Sequence, residues 1–234
     1  MFVFVIPIVV FFTIFFVLPL GLVVLASFFD PVLTGSNYAE LFTSGLYLRV
    51  LRSTLEISGL STLVTLLIAY PVAYHLFKQP PRRRTLLMTL VLLPFWTSIL
   101  VKSFAFTVLL GEEGIINNVA RALFGPDTAL KMLFNRPGVV IGMAHYLLPF
   151  MIFAILTSLL AQNPDLRRAA EVMGAGRARI FRSVTLPLSM PGVIAGCLIS
   201  VVLSLGMFVT PALLGGPKDM MLANLVEMHV RQTL

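Results

Sequence analysis

Charged side chains are scarce in this 234-residue sequence, where they make up 12% of the residues against 58% that are hydrophobic. A soluble domain keeps about a quarter of its residues charged, because its outer surface faces water. A surface that faces lipid must instead be as apolar as the interior. The mean hydropathy of +0.97 fits the second case. The composition therefore excludes an ordinary soluble domain and predicts a protein integral to a membrane.

Residues and motifs that carry chemistry are also missing. The sequence has one cysteine, Cys197 in an apolar run, which excludes an internal disulfide framework or a thiolate metal cluster. It contains no GxxxxGK[ST] phosphate loop, no HExxH and no nucleophile elbow. The sequence thus predicts no catalytic site and no metal site. We expect a chain that is not an enzyme and that binds no cofactor itself.

Five apolar runs have the length of about 20 residues that a helix needs to cross a bilayer. They predict an all-α transmembrane domain over 1–234, and the runs lie at about 2–29, 51–77, 85–110, 139–160 and 192–214. No sixth run follows, so we expect a sixth span to be missing at the C-terminus. The apolar start without a basic residue also suggests a truncated amino terminus.

The net charge of +7 would suggest a nucleic-acid partner in a soluble protein, but here the basic residues indicate topology. Loop 78–84 carries four of them and no acid, and loop 161–190 carries five against two acids. Together the two loops hold nine of the 17 basic residues. By the positive-inside rule we expect both loops to be cytoplasmic, next to membrane lipid, and we expect no nucleic-acid partner.

The loop 161–190 predicts two short amphipathic helices. Asn163-Pro164 is typical of an N-cap followed by proline at the first helical position, and glycine at 174 and 176 would end that helix. One apolar stripe recurs at i, i+3, i+4 and i+7, formed by Leu166, Ala169, Ala170 and Met173. We expect Pro187 and Pro191 to end the second piece before the fifth span. Composition alone is also consistent with an interfacial linker whose arginines meet lipid headgroups.

The order of residues from 168 to 187 resembles the EAA loop of ABC-importer permeases. That pattern is Glu-Ala-Ala, three residues, glycine, nine residues, then Ile or Val, any residue and Leu-Pro. Arg168 stands where the family usually has glutamate. The matching positions are Ala169, Ala170, Gly174, Val184, Leu186 and Pro187.

The resemblance implies a type I ABC importer-like transmembrane domain in a cell inner membrane. It assigns to about 164–179 the coupling helix that docks on a separate ATP-binding subunit. The implied partners are a dimer of those ATP-binding cassette subunits, which holds ATP and Mg, a periplasmic solute-binding protein, and a second permease subunit. For that subunit a heterodimer is favoured and a homodimer stays open. The coupling residues implied are Leu166, Arg168, Ala169, Ala170, Glu171, Gly174, Ala175, Leu186 and Pro187.

Segments 93–98, 111–118 and 207–216 look like polyamine (spermidine/putrescine) permeases, which implies a polyamine as the solute. Permeases for ferric iron, sulfate or molybdate share the scaffold and stay open as alternatives. A path for a cation favours carboxylates and aromatic faces, so the candidate pore-lining residues are Glu56, Phe95, Trp96 and Tyr146. The alternative is that these residues pair, pack or lie at the membrane interface.

Ionisable residues inside apolar runs also allow a different class of protein. Glu56, Lys102 and His145 could serve as ion or proton sites in a secondary transporter or channel that needs no ATPase. Separately, Gly192 and Gly196 form a GxxxG at the start of the fifth run, which permits close approach of two helices.

Overall fold

The computed structural model describes residues 5–30, 32–33, 35–126, 128 and 130–233. Apart from two short strands, the regular structure in these ranges is helical, as the composition predicts. The chain forms two compact units, residues 1–49 and 50–234, which are described in turn. Residues 2–4 of the predicted first span lie outside the described residues.

The first unit begins with the apolar helix α1, Ile6–Ser27. Its middle widens into a π turn, Thr13–Val17, directly before Leu18-Pro19. A proline has no N–H to donate, and its ring clashes with the carbonyl four residues back. The wider turn relieves that clash, so α1 continues past Pro19.

A small hairpin follows α1 in the first unit. The strands β1, Phe29–Asp30, and β2, Val32–Leu33, pair antiparallel. Helix α2, Ser36–Thr43, comes next. Tyr38 on α2 contacts the ring of Phe28 at 5.0 Å between ring centroids.

The second unit and the helix that leads into it contain nine helices within the described ranges. In chain order they are α3 Gly45–Lys78, α4 Pro81–Leu92, α5 Ile99–Leu110, α6 Ile115–Phe124, α7 Arg136–Leu160, α8 Pro164–Val172, α9 Arg177–Leu205, α10 Val209–Leu214 and α11 Leu222–Thr233.

Four helices of the described chain are long and apolar enough to cross a membrane, namely α1, α3, α7 and α9. The predicted third span, 85–110, is not one continuous helix. A 3-10 turn, Leu93–Trp96, follows α4, and the chain then bends by 93° into α5 and α6. Pro94 lacks an N–H, so one hydrogen bond of the α-helical pattern is lost in this turn. If the two helical pieces on either side of the bend, Pro81–Trp96 and Ile99–Phe124, together form one broken span, the described chain has five spans.

Helix α9 differs from the predicted span 192–214 at both ends. It starts at Arg177, passes through Pro187 and Pro191, and ends at Leu205. A π turn over residues 181–185 precedes Leu186-Pro187, as in α1, and the N–H of Leu186 donates to the carbonyl of Phe181. The expectation that these prolines end the amphipathic piece is therefore wrong, because the wider turn accommodates Pro187.

The core of the second unit lies where α7 packs along α9. A Cβ on Gly192 would lie 2.5 Å from the carbonyl oxygen of Ala154, and one on Gly196 would lie 2.6 Å from Sδ of Met151. The GxxxG pair thus lets the two helices touch directly. Helix α3 completes the core, whose buried side chains are Ala69, Ala73, Leu76, Met151, Ile152, Ile155, Leu156, Leu159 and Val193.

A second apolar cluster lies toward the opposite end of the same helices. Helix α10 packs on α5 and α7, and Gly142 makes room for it, because a Cβ there would lie 2.5 Å from Cδ1 of Leu214. The buried members are Ile57, Val139, Met143, Met207, Leu214 and Met221. The bundle is therefore packed along the length of α7.

Candidate coupling site

The first turn of α8 is closed as the sequence predicts. The side-chain oxygen of Asn163 accepts a hydrogen bond from the N–H of Asp165 at 2.9 Å, and Pro164 is the first helical residue. Asp165 also pairs with Arg168, at 3.2 Å from its Nη1. Arg168, at the position where the family has glutamate, is thus bound within α8 itself.

The last turn of α8 ends in a Schellman motif. The N–H of Ala175 donates to the carbonyl of Ala170, and the N–H of Gly174 donates to that of Glu171, both at 3.0 Å. Gly174 has φ = +78°, a left-handed conformation that costs a residue with a Cβ roughly 1–2 kcal/mol. The glycine of the EAA pattern is therefore required by the backbone at this turn.

The exposed surface of α8 carries apolar residues beside its charged ones. Val172 and Met173 are 89% and 80% exposed, and Leu166 and Ala169 are also exposed. Ala170 is 7% exposed and faces the protein. The predicted stripe is therefore rotated: Ala170 belongs to the anchored side, and Val172, which the stripe omitted, is the most exposed apolar residue of the helix.

The segment around α8 is fixed to the bundle by aromatic and polar contacts. The ring of Phe181 contacts Tyr74 at 5.1 Å and Tyr70 at 6.0 Å between centroids. Tyr70 also hydrogen bonds Ser189 at 2.9 Å. Nε2 of Gln162 donates to the carbonyl of residue 185 at 3.0 Å. Of the predicted coupling residues, Leu186 and Pro187 lie within α9, where Leu186 is partly buried and Pro187 exposed.

Glu56 is not a free carboxylate, because it lies in a charge cluster at the other end of the bundle. It accepts from Arg136 Nη1 at 2.6 Å and from Arg52 Nε at 2.7 Å. Arg136 Nε also bonds Asp219 at 3.2 Å. These contacts join α3, α7 and the segment before α11. Glu56 is therefore ion-paired in this structure, which was the alternative to a pore-lining role. Arg136 and Asp219 also belong to the charge cluster, and the sequence did not point to them.

The aromatic candidates lie around the bend between α4 and α5. Phe95 contacts Phe150 at 5.5 Å, and Tyr146 contacts Phe150 at 5.8 Å. Trp96 is 78% exposed. Phe95 lines an open apolar groove of about 650 Å³ between the bend, α7 and α9. The structure thus brings Phe95 and Tyr146 together through Phe150, which sequence reasoning missed.

The other two ionisable residues of the apolar runs lie beside the same aromatic group. Lys102 Nζ is 5.4 Å from the centroid of the Tyr146 ring. The ring of His145 contacts Phe106 at 5.2 Å. In the described part of the chain, no three His, Cys, Asp or Glu residues are grouped so that they could hold a metal ion.

Comparison with known proteins defines the class to which this fold and coupling segment belong. Residues 61–227 match the family described as the inner membrane component of binding-protein-dependent transport systems. The chain belongs to this family. It is a permease component of an ABC importer in the inner membrane, and not an enzyme.

Two relatives carry the same name, spermidine/putrescine transport system permease protein PotB. The protein from Haemophilus influenzae is 38% identical over 223 residues, which cover 92% of this chain and 78% of the relative. The protein from Escherichia coli K12 is 34% identical over 204 residues, which cover 87% and 74%. The solved structure of a bacterial alginate ABC transporter in complex with its pentasaccharide-bound periplasmic protein has a TM-score of 0.73 at 22% identity. It covers 99% of this chain and 81% of that one, so it supports the fold.

Proposed function

We propose that this chain is the permease subunit of an ATP-driven importer that takes up polyamines. A periplasmic binding protein delivers the solute, and a dimer of separate ATP-binding subunits holds ATP and Mg²⁺. Loops 78–84 and 161–190 face the cytoplasm, in agreement with their basic residues. Closure of the ATP-binding subunits displaces α8, and the bundle alternates between outward-open and inward-open states.

The observation that carries the coupling role is the form of α8. Its two ends are closed by an N-cap and a Schellman motif, its buried Ala170 faces the protein, and Val172 and Met173 near its C-terminus are exposed. A short helix with a fixed base and an exposed apolar tip suits the groove of a partner protein. An interfacial linker would not require this fixed base.

The choice of a polyamine rests on the names of the two relatives and on the aromatic group near the bend. Phe95, Phe150 and Tyr146 form a continuous series of ring contacts. Aromatic faces attract ammonium groups, each contact contributing about 0.5–2 kcal/mol. Lys102 lies beside Tyr146 and opposes a cation there, so we place the path along Phe95 and Trp96.

A second and different permease subunit completes the path in this proposal. The open groove lined by Phe95, Phe153 and Ile199 lies on the spanning part of the bundle, where a helix of another subunit can pack. Co-expression of two differently tagged copies of this chain tests it. We expect each tag to purify without the other, and joint recovery would instead indicate a homodimer.

Substitution of Ala169 by Asp tests the coupling role. An exposed charge at the docking face should abolish uptake and co-purification of the ATP-binding subunit, while the amount of folded permease is unchanged. Ala122→Asp is the matched control, because Ala122 is an exposed alanine on α6, outside the coupling segment. Normal uptake and normal recovery of the ATP-binding subunit with Ala169→Asp would contradict the proposal.

Binding of solutes to the cognate periplasmic protein tests the substrate. We expect spermidine or putrescine to bind, and an excess of either to suppress uptake of the labelled polyamine. Sulfate, molybdate and ferric iron serve as comparison solutes. Preferential binding of one of these three would replace polyamine as the substrate and leave the coupling role intact.

A further inference from the structure

A basic pocket of about 280 Å³ lies between α8 and the ends of α3 and α9. It belongs neither to the exposed tip of α8 nor to the groove near the bend. Three of its side chains are cationic, and among the described lining residues one is a carboxylate. The lining residues are Tyr74, Lys78, Arg167, Glu171, Arg177, Ile180 and Thr185.

The cations of this pocket are only partly neutralised. Arg167 Nε pairs with Glu171 at 3.1 Å. Lys78 Nζ lies 4.1 Å from the centroid of the Tyr74 ring, a contact that leaves its charge in place. Arg177 makes no ion pair within the described ranges. Two positive charges therefore converge on the pocket without a carboxylate to balance them, which is the environment that an anion requires.

The position of the pocket indicates the kind of anion. Lys78 is the last residue of α3 and Arg177 the first of α9, so the pocket lies where spanning helices end, at the level of lipid headgroups. An adjoining cleft of about 270 Å³ shares Arg167 and Thr185 with the pocket, and its apolar lining includes Phe77, Leu160 and Val184. A cationic pocket beside an apolar cleft matches a molecule with an anionic head and a hydrocarbon chain.

We propose that this pocket binds the phosphate of an anionic phospholipid, with an acyl chain in the adjoining cleft. Arg177 and Lys78 hold the phosphate oxygens. Because α8, α3 and α9 all contribute to the pocket, the lipid joins the α8 segment to the bundle. The inference depends on the proposed function only in treating α8 as the coupling helix.

Native mass spectrometry of the assembled transporter, purified with its partner subunits from nanodiscs, tests the proposal. The probes are phosphatidylglycerol and phosphatidylcholine of the same chain length. We expect phosphatidylglycerol to be retained about 25-fold more. Arg177→Gln and, independently, Lys78→Gln should each lower that retention about fivefold, the effect of one basic side chain near an anionic headgroup.

Arg179→Gln is the matched control, because Arg179 is exposed two residues away and does not line the pocket. Equal losses with Arg179→Gln and Arg177→Gln would overturn the proposal in favour of a diffuse surface charge. Displacement of the lipid by millimolar inorganic phosphate would overturn the lipid as the source of the anion. Co-purification of the ATP-binding subunit, measured on the same samples, reports separately on the proposed function.

Discussion

The two ends of the α3–α7–α9 bundle hold their charges in different ways. At the end with Glu56, Arg136 and Asp219, both carboxylates of the cluster are bound to a guanidinium, and the cluster joins three segments. At the end with α8, ion pairs stay within the helix, while apolar side chains project outward.

The difference separates an end whose charges are paired across segments from an end that leaves contacts to be made. Carboxylates paired with arginines from distant segments hold those segments together, and Asp219, 9% exposed, has little access to another molecule. Exposed apolar side chains and cations without a carboxylate partner leave favourable contacts unmade. We therefore expect substitutions in the Glu56 cluster to change stability and substitutions at the α8 end to change coupling.

Gly196→Leu should have the largest effect, because both ends depend on the same helix contact. Its new side chain would be forced into Met151 and would separate α9 from α7, at a cost of about 3 kcal/mol or more. We expect loss of the monodisperse peak in detergent size-exclusion chromatography. Gly59→Leu is the control, since a Cβ there meets no described atom within 4 Å, and it should elute normally.

Val172→Lys should separate coupling from stability. The side chain is 89% exposed and lies in the last turn of α8, where a cation is compatible with the helix dipole. We expect an unchanged melting temperature and at least a tenfold loss of solute-stimulated ATP hydrolysis in the assembled transporter. Full stimulation with Val172→Lys would remove the tip of α8 from the docking surface.

Arg136→Met should show the opposite pattern. It leaves Asp219 without its guanidinium partner and removes the bridge from Glu56, and an unpaired, nearly buried carboxylate is costly. We expect the apparent melting temperature of the purified protein to fall by on the order of 5 °C. Binding of the ATP-binding subunit should persist. A loss of that binding without a change in melting would reverse the roles of the two ends.

Arg52→Gln should have the smallest effect, although it touches the same cluster. Arg52 is 82% exposed and pairs with Glu56 across one helical turn. Such surface pairs contribute little because both partners remain solvated. We expect a shift below about 1 °C in the same melting experiment. A shift equal to that of Arg136→Met would make the whole cluster cooperative.

Local signals in the sequence were enough to predict both ends of α8. The N-cap at Asn163 and the glycine ending at Gly174 depend only on neighbouring backbone groups, and the structure confirms both. The amphipathic stripe located the helix but not its orientation. Ala169 and Ala170 lie side by side on it, and their size does not indicate which one faces the protein.

Contacts between distant residues could not be predicted in the same way. Glu56 and Arg136 are 80 residues apart in the chain, and only the packing of α3 on α7 brings them together. Pro94 and Pro187 also affect their helices differently. Pro94 lies at a sharp bend, whereas Pro187 lies inside a continuous helix that has a π turn just before it. Proline marks a perturbation of the helix, and the surrounding packing decides its form.

The continuity of α9 through Pro187 has a mechanical consequence. One rod of helix connects the residues that follow α8 with the far side of the bundle, about 43 Å away for 29 residues at 1.5 Å each. Under the proposed function, a displacement of α9 at Arg177 would be carried along the helix toward Leu205, and the glycine contact with α7 would be the point about which it turns.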